Sequence, residues 1–135
     1  MSANTSPVFA ITPYLARAEI TATTTDKTGA TTGNLVQLLQ AGGNGSKISQ
    51  IGCKVEGTSA AGLLLIFITD SSGNISTVKL FDEIVLSLVT TSNTQSTFRA
   101  FNAYSDLELT AGQKIYVGVT LMTANVMVWA QQGDF

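Results

Sequence analysis

The segment Gly62–Leu88, GLLLIFITDSSGNISTVKLFDEIVLSL, constrains the fold more than any other part of the chain. It opens on an unbroken apolar run, Leu63–Ile68. It then passes through Asp70-Ser71-Ser72-Gly73-Asn74 and resumes a β-rich pattern from Ile75 to Leu88. Gly and Asn tolerate positive φ, and Asp and Ser bond their own backbone, so such a cluster between two apolar runs marks a hairpin turn. The segment is expected to be the central hairpin of an all-β domain. Its first strand sets Leu63, Leu65 and Phe67 on one face and Leu64, Ile66 and Ile68 on the other. Both faces are apolar, so both must be covered.

The flanking sequence supplies further strands. Arg17–Thr25 is rich in β-branched residues, and Asp26–Gly33 reads as a loop. Asn34–Gln40 is ambiguous: Leu35, Leu38 and Leu39 have helical spacing, but the segment is short and its surroundings are β, so it is taken as a strand. After the turn Ala41–Ser46, Lys47–Glu56 alternates with Ile51, Cys53 and Val55 on one face. Beyond Glu83–Leu88 and the polar loop Val89–Ser96, a short strand Thr97–Phe101 carries Phe98 and Phe101. Leu107 and Leu109 precede an Ala111-Gly112 turn, and Ile115, Val117 and Val119 resume the alternation. The last strand, Asn125–Gln131, sets Val126, Val128 and Ala130 against Met127, Trp129 and Gln131. These segments predict an all-β, two-sheet antiparallel sandwich or jelly roll of about eight strands. It spans residues 14–135, preceded by an extended N-terminal arm, residues 1–13.

Composition narrows the function. The 135 residues are 44% hydrophobic and only 12% charged, so uncharged Thr, Ser, Asn and Gln fill the polar positions, as suits surfaces that lose their water to a neighbour. A net charge of −2 with scattered Lys and Arg offers no footprint for nucleic acid. No apolar run approaches a membrane span, and MSANTSPVFAITPY has neither a basic nor a continuous apolar part of a secretory leader. A soluble chain made in a cytoplasm is expected.

There is no histidine, which removes the commonest base and metal ligand. Ala41-Gly42-Gly43-Asn44-Gly45-Ser46-Lys47 has the wrong spacing for a phosphate loop. Asp70–Asn74 holds one carboxylate where a calcium cage needs several. Asp82 and Glu83 are adjacent and point to opposite faces, and Asp106 with Glu108 sits beside a turn. Cys53, the lone cysteine, reads as a small buried side chain. The chain is expected to be a non-enzyme without cofactor or catalytic metal.

The order of motifs resembles a known group. A glycine turn leads to Lys47–Glu56, then Thr58 to Gly62, an apolar strand ending Ile68-Thr69-Asp70, and Leu80-Phe81-Asp82-Glu83-Ile84. The chain closes on Leu107-x-Leu109-x-Ala111-Gly112 and Asn125-Val126-x-Val128-x-Ala130-x-x-Gly133-Asp134-Phe135. Over residues 34–135 this resembles the small tailed-phage virion proteins of the jelly-roll decoration or cement type, whose chains likewise end in Gly-Asp-aromatic. The resemblance implies a jelly-roll or sandwich module, often trimeric, on the capsid surface of a virion, with the major capsid protein or another virion protein as partner. Related modules in tails or fibres keep open the alternative of a binding module for a host glycan or receptor.

Two contact regions follow as expectations. A homo-oligomer would bury the second apolar faces of the strands, so Leu64, Ile66, Ile68, Met127, Trp129 and Phe135 are candidate subunit-contact residues, with Leu63, Leu65 and Phe67 as the alternative face. The N-terminal arm, stiffened by Pro7 and Pro13 with Val8, Phe9 and Ile11 as apolar anchors, is a candidate capsid contact. The alternative is a loose tail.

Overall fold

The computed structural model describes residues 12–88, 90–97 and 99–135. Among them, eight strands run in the order β1 (Thr12–Ile20), β2 (Val36–Gln40), β3 (Ser46–Val55), β4 (Gly62–Ile68), β5 (Lys79–Leu86), β6 (Arg99–Leu109), β7 (Lys114–Val119) and β8 (Val126–Asp134). They form two four-stranded sheets, β1-β8-β3-β6 and β2-β7-β4-β5. This is the all-β sandwich of jelly-roll type that the sequence predicted.

The pairing explains why Gly62–Leu88 organises the chain. β4 pairs with β5, β3 with β6, β2 with β7 and β1 with β8, all antiparallel. The molecule is thus one long two-stranded ribbon with its tip at the β4–β5 turn. The ribbon is rolled so that β8 also pairs with β3, and β7 with β4. Of the connections between these eight strands, only β4–β5 stays within a sheet.

Alternation sorts the side chains. Ile48, Ile51, Leu64, Ile66, Ile115, Val117, Val119, Val126, Val128 and Ala130 meet between the sheets with no accessible surface. Each fully buried aliphatic side chain there contributes about 1.5–3 kcal/mol. Cys53 lies in this core as expected, and burial pushes its thiol pKa up to about 12.

The outer face of β4 is covered by the chain itself. Leu65 and Phe67 pack with Leu35, Val78 and Tyr116 in a second, smaller core. The β1–β2 connection crosses this face. It approaches β7 closely because Gly118 has no side chain: a Cβ there would overlap the Thr24 methyl group and lie 2.9 Å from Leu35 Cδ2. Lys27 pairs with Glu83 of β5 at 2.7 Å and holds the crossing in place.

Several sequence expectations shift. The first strand is Thr12–Ile20 rather than Arg17–Thr25, because β8 pairs with it back to Thr12; residues 21–25 belong to the crossing. Pro13 therefore lies in an edge strand, where a missing N–H is tolerated, and not in a detached arm. Ile75–Thr77 is a 3₁₀ turn rather than strand, since Asn74 Oδ1 accepts from Ser76 N at 3.1 Å and caps it. Thr97–Phe101 and Leu107–Leu109 belong to one element, with β6 running unbroken from Arg99 to Leu109. Phe98 lies outside the described residues.

Candidate interaction surface

The two sheets differ on their outer faces. Among the described residues no segment crosses the β1-β8-β3-β6 sheet like that on its partner, and its register brings together residues far apart in sequence. Arg17 pairs with Trp129, Trp129 with Gly52, and Gly52 with Phe101, which makes one row across all four strands. The neighbouring row is Glu19, Met127, Lys54 and Arg99. On the other side lie Leu15, Gln131, Gln50 and Ala103.

Gly52 sets the centre of this face. A Cβ at position 52 would overlap the six-membered ring of Trp129 and come within 2.9 Å of Phe101 Cβ. The indole therefore lies down over the glycine. The Arg99 guanidinium carbon sits 5.5 Å from the Phe101 ring centre and 5.8 Å from that of Trp129, within cation–π range of both. Arg99 makes no ion pair or hydrogen bond with another described residue. Phe101 is 45% exposed.

A groove continues the face at each end of β8. One, of about 550 Å³, is lined by Pro13, Tyr14, Leu15, Lys47, Ser49 and Gln131 to Gly133. The other, of about 450 Å³, is lined by Lys54, Glu56, Met127 and the hydroxyl and amide groups of the β5–β6 connection, Thr91, Ser92, Gln95, Ser96 and Thr97.

No protein-family model, curated protein or solved structure matches the chain. What stands beyond the individual residues is the fold class, an all-β jelly-roll sandwich.

The structure separates the candidate subunit-contact residues. Leu64 and Ile66 are enclosed between the sheets and so withdrawn from any contact surface, while Ile68 is half-buried against that core. The alternative face is no freer, since Leu65 and Phe67 are buried beneath Leu35 and Val78. Strand periodicity describes a sandwich only as two bare layers, and the covering loop is a tertiary feature. Met127 and Trp129 do reach the surface, on the outer face just described. Phe135 folds back onto its own chain: its N–H donates to Gly45 O at 3.2 Å.

That contact belongs to a polar clasp. Asp134 Oδ1 accepts from Ser46 Oγ at 2.6 Å and from Gln132 Nε2 at 2.8 Å, while Ser46 Oγ accepts from Gly42 N at 2.8 Å. The terminal Gly-Asp-Phe thus fastens the glycine-rich β2–β3 turn. Of the arm residues, Pro13 is in β1, and Pro7, Val8, Phe9 and Ile11 lie outside the described residues.

The acidic residues divide in the same way. Asp82 Oδ2 accepts from Tyr104 Oη at 2.6 Å and Asn102 Nδ2 at 2.8 Å, which ties the edge of one sheet to the edge of the other. Burial alone would raise the Asp82 pKa, but these bonds and the Glu83 N–H outweigh it and hold the carboxyl below its usual range. Asp106 and Glu108 are exposed on β6. Asp70 accepts from Ser72 within the β4–β5 turn.

Arg99, Phe101 and Gly52 were not singled out as partners of Trp129. The sequence signal available was the outward set Met127, Trp129 and Gln131, and only the register identifies their neighbours.

A second exposed apolar set lies elsewhere. Val85, Leu88 and Leu121 are 70%, 71% and 52% exposed. Val85 pairs with Leu63 on the outer phase of β4, whereas Leu121 Cβ lies 3.3 Å from a Cβ built on Gly62, which has the inner phase of Leu64, so the two flank the start of β4 on opposite sides.

Proposed function

We propose that this protein is a structural virion protein of a tailed phage, of the capsid decoration or cement type, acting as a homo-oligomer on the capsid surface. The observation that carries this reading is the exposure of three large aliphatic side chains, Val85, Leu88 and Leu121. Exposed aliphatic side chains of this size are available for contact with protein. The motif order over residues 34–135, with its Gly-Asp-aromatic ending, supports the phage assignment by resemblance.

In this reading the module has no catalytic task. It is a rigid block held by paired strands, the Asp82 tie and the Asp134 clasp, and its work is to occupy a seam between shell subunits, its partner being the major capsid protein. The deciding experiment is the position and copy number of the protein in its source particle by cryo-microscopy. Hundreds of copies on the shell support the reading. A few to a few tens support a tail or fibre module instead, and absence from the particle overturns both.

The tail or fibre alternative, with a host glycan or receptor as its ligand, draws on a different observation. The Trp129–Phe101–Arg99 group over Gly52 combines aromatic rings with a cation on a sheet face that no other described segment crosses, a combination suited to ligand contact.

A further inference from the structure

We infer that the groove beside the start of β1 is the seat of the chain's own N-terminal segment, with the Phe9 ring as its anchor. The inference stands whether or not the protein occupies a capsid.

Position is the first ground. The groove, of about 550 Å³, runs across β8 from Pro13, Tyr14 and Leu15 on one side to Lys47 and Ser49 of β3 on the other. Its first wall is made by the residues that directly follow Thr12, so the segment preceding Thr12 joins the fold at the rim. Leu15 lies three positions after Thr12 and Phe9 three before, about 10 Å in each direction at about 3.4 Å per residue. A chain reversal before Thr12 therefore returns Phe9 over the groove. A tethered occupant of this kind has an effective concentration on the order of millimolar, so modest apolar contact suffices to hold it.

Shape is the second ground. In the row Pro13, Gly133 and Lys47 the middle position has no side chain, so the face dips between its ends. The same sheet has another outward glycine at Gly52, and there the Trp129 ring covers the backbone. An aromatic ring laid over a strand glycine recovers packing that the missing side chain forfeits. A ring supplied by Phe9 does at Gly133 what Trp129 does at Gly52.

Chemistry is the third ground. The surface of the groove is mainly apolar, and Tyr14 and Leu15 are 58% and 63% exposed. Residues 1–11 carry no charged side chain and include Val8, Phe9 and Ile11. Such a segment brings apolar area to the groove without stripping water from a charge. The groove at the other end of β8 matches it poorly, because Lys54, Glu56 and several hydroxyl groups line that one.

The test uses full-length protein and reads the Phe9 ring directly. Nuclear Overhauser effects are expected from the Phe9 ring protons to the Leu15 methyl groups and to Gly133 Hα. Chymotrypsin cleavage after Phe9, identified by mass spectrometry, should quicken about tenfold or more in Leu15→Glu, which puts a charge into the groove wall. Ser87→Glu, which adds the same charge at an exposed position after β5, should leave the rate unaltered. Ser49→Glu gives the same reading if Leu15→Glu does not fold, since Ser49 is exposed on the groove. Absence of these Overhauser effects, or equal cleavage of the parent and the groove variant, overturns the inference and leaves the groove to a separate partner. Effects seen only between isotope-labelled and unlabelled copies overturn it in favour of the segment of a second copy. A rate raised equally by Ser87→Glu overturns it too, since charge alone would then free the segment.

Discussion

The indole of Trp129 occupies the space that a side chain at position 52 would need. Gly52 and Trp129 face each other across β3 and β8, and the six-membered ring covers the glycine backbone. An aromatic ring laid over a strand glycine restores the packing that the missing side chain forfeits. The same arrangement positions the ring for Arg99.

Gly52→Ala should therefore destabilise the fold by about 1–3 kcal/mol, the usual cost of forcing extra volume into a packed site. Trp129 emission should change in the native state, because the ring has to lift. Urea unfolding followed by fluorescence measures both. Unchanged stability and emission would show that the ring moves aside freely.

Acid should weaken the fold through defined carboxyls. Asp82 is held below its usual range by Tyr104, Asn102 and the Glu83 N–H against the effect of burial. Asp26 is lowered from 3.8 to about 2, first by the Thr28 hydroxyl and then by the Thr28 and Thr31 N–H groups. A carboxyl whose pKa is lower in the folded state adds stability above its unfolded value and loses it as pH falls through the folded one. The urea midpoint should be flat down to about pH 5 and fall from there toward about pH 2. Asp82→Asn should be less stable at neutral pH and show a shallower acid decline. An identical pH profile would remove Asp82 from this role.

The Asp134 clasp should be structural. Asp134→Ala leaves Ser46 and Gln132, both buried, without a shared acceptor. A loss of about 1–3 kcal/mol is expected, the range for a buried polar group deprived of its partner. Amide exchange in the β2–β3 turn should rise with it. A variant as stable as the parent would show that water replaces the carboxylate.

Self-association should depend on the exposed aliphatic side chains Val85 and Leu121. Light scattering of the parent at micromolar concentration is expected to give an oligomer, a trimer on the present proposal. Val85→Lys with Leu121→Lys should yield a folded monomer, since both side chains are already largely exposed. A monomeric parent would overturn the oligomer.

The N-terminal arm is best tested by a cut that respects β1. Because Thr12 and Pro13 pair with Asp134 and Gly133, deletion of residues 2–11 rather than 2–13 leaves the strand whole. The truncated protein should fold and associate as before but bind more weakly to capsids that lack it. Equal affinity would rule out the arm as a capsid contact.

Much of the architecture was legible in the sequence, because strand alternation and turn chemistry are local. The Asp70–Asn74 turn announced the ribbon tip. Ile51, Cys53 and Val55 with Val126, Val128 and Ala130 announced the inner faces. Where alternation slips, local reading failed. On β6 the inward residues change from Asn102 and Tyr104 to Leu107 and Leu109, because Ile48 pairs with Leu107 while Gln50 pairs with Ala103. That bulge shifts the phase, and one strand read as two fragments.

The sequence by itself determined that both faces of β4 had to be covered. Only the tertiary structure decided what covers them: the opposite sheet over Leu64 and Ile66, and the β1–β2 crossing, with Leu35, together with Val78 over Leu65 and Phe67. The candidate surface divides in the same way. Periodicity set Met127 and Trp129 side by side on one face, but their placement beside Arg99, Phe101 and Gly52 arises from register between strands some thirty to eighty positions apart. Hydrophobic periodicity encodes which side of a strand is buried. It carries no information about which distant strand lies next to it, and that is settled only when the ribbon rolls up.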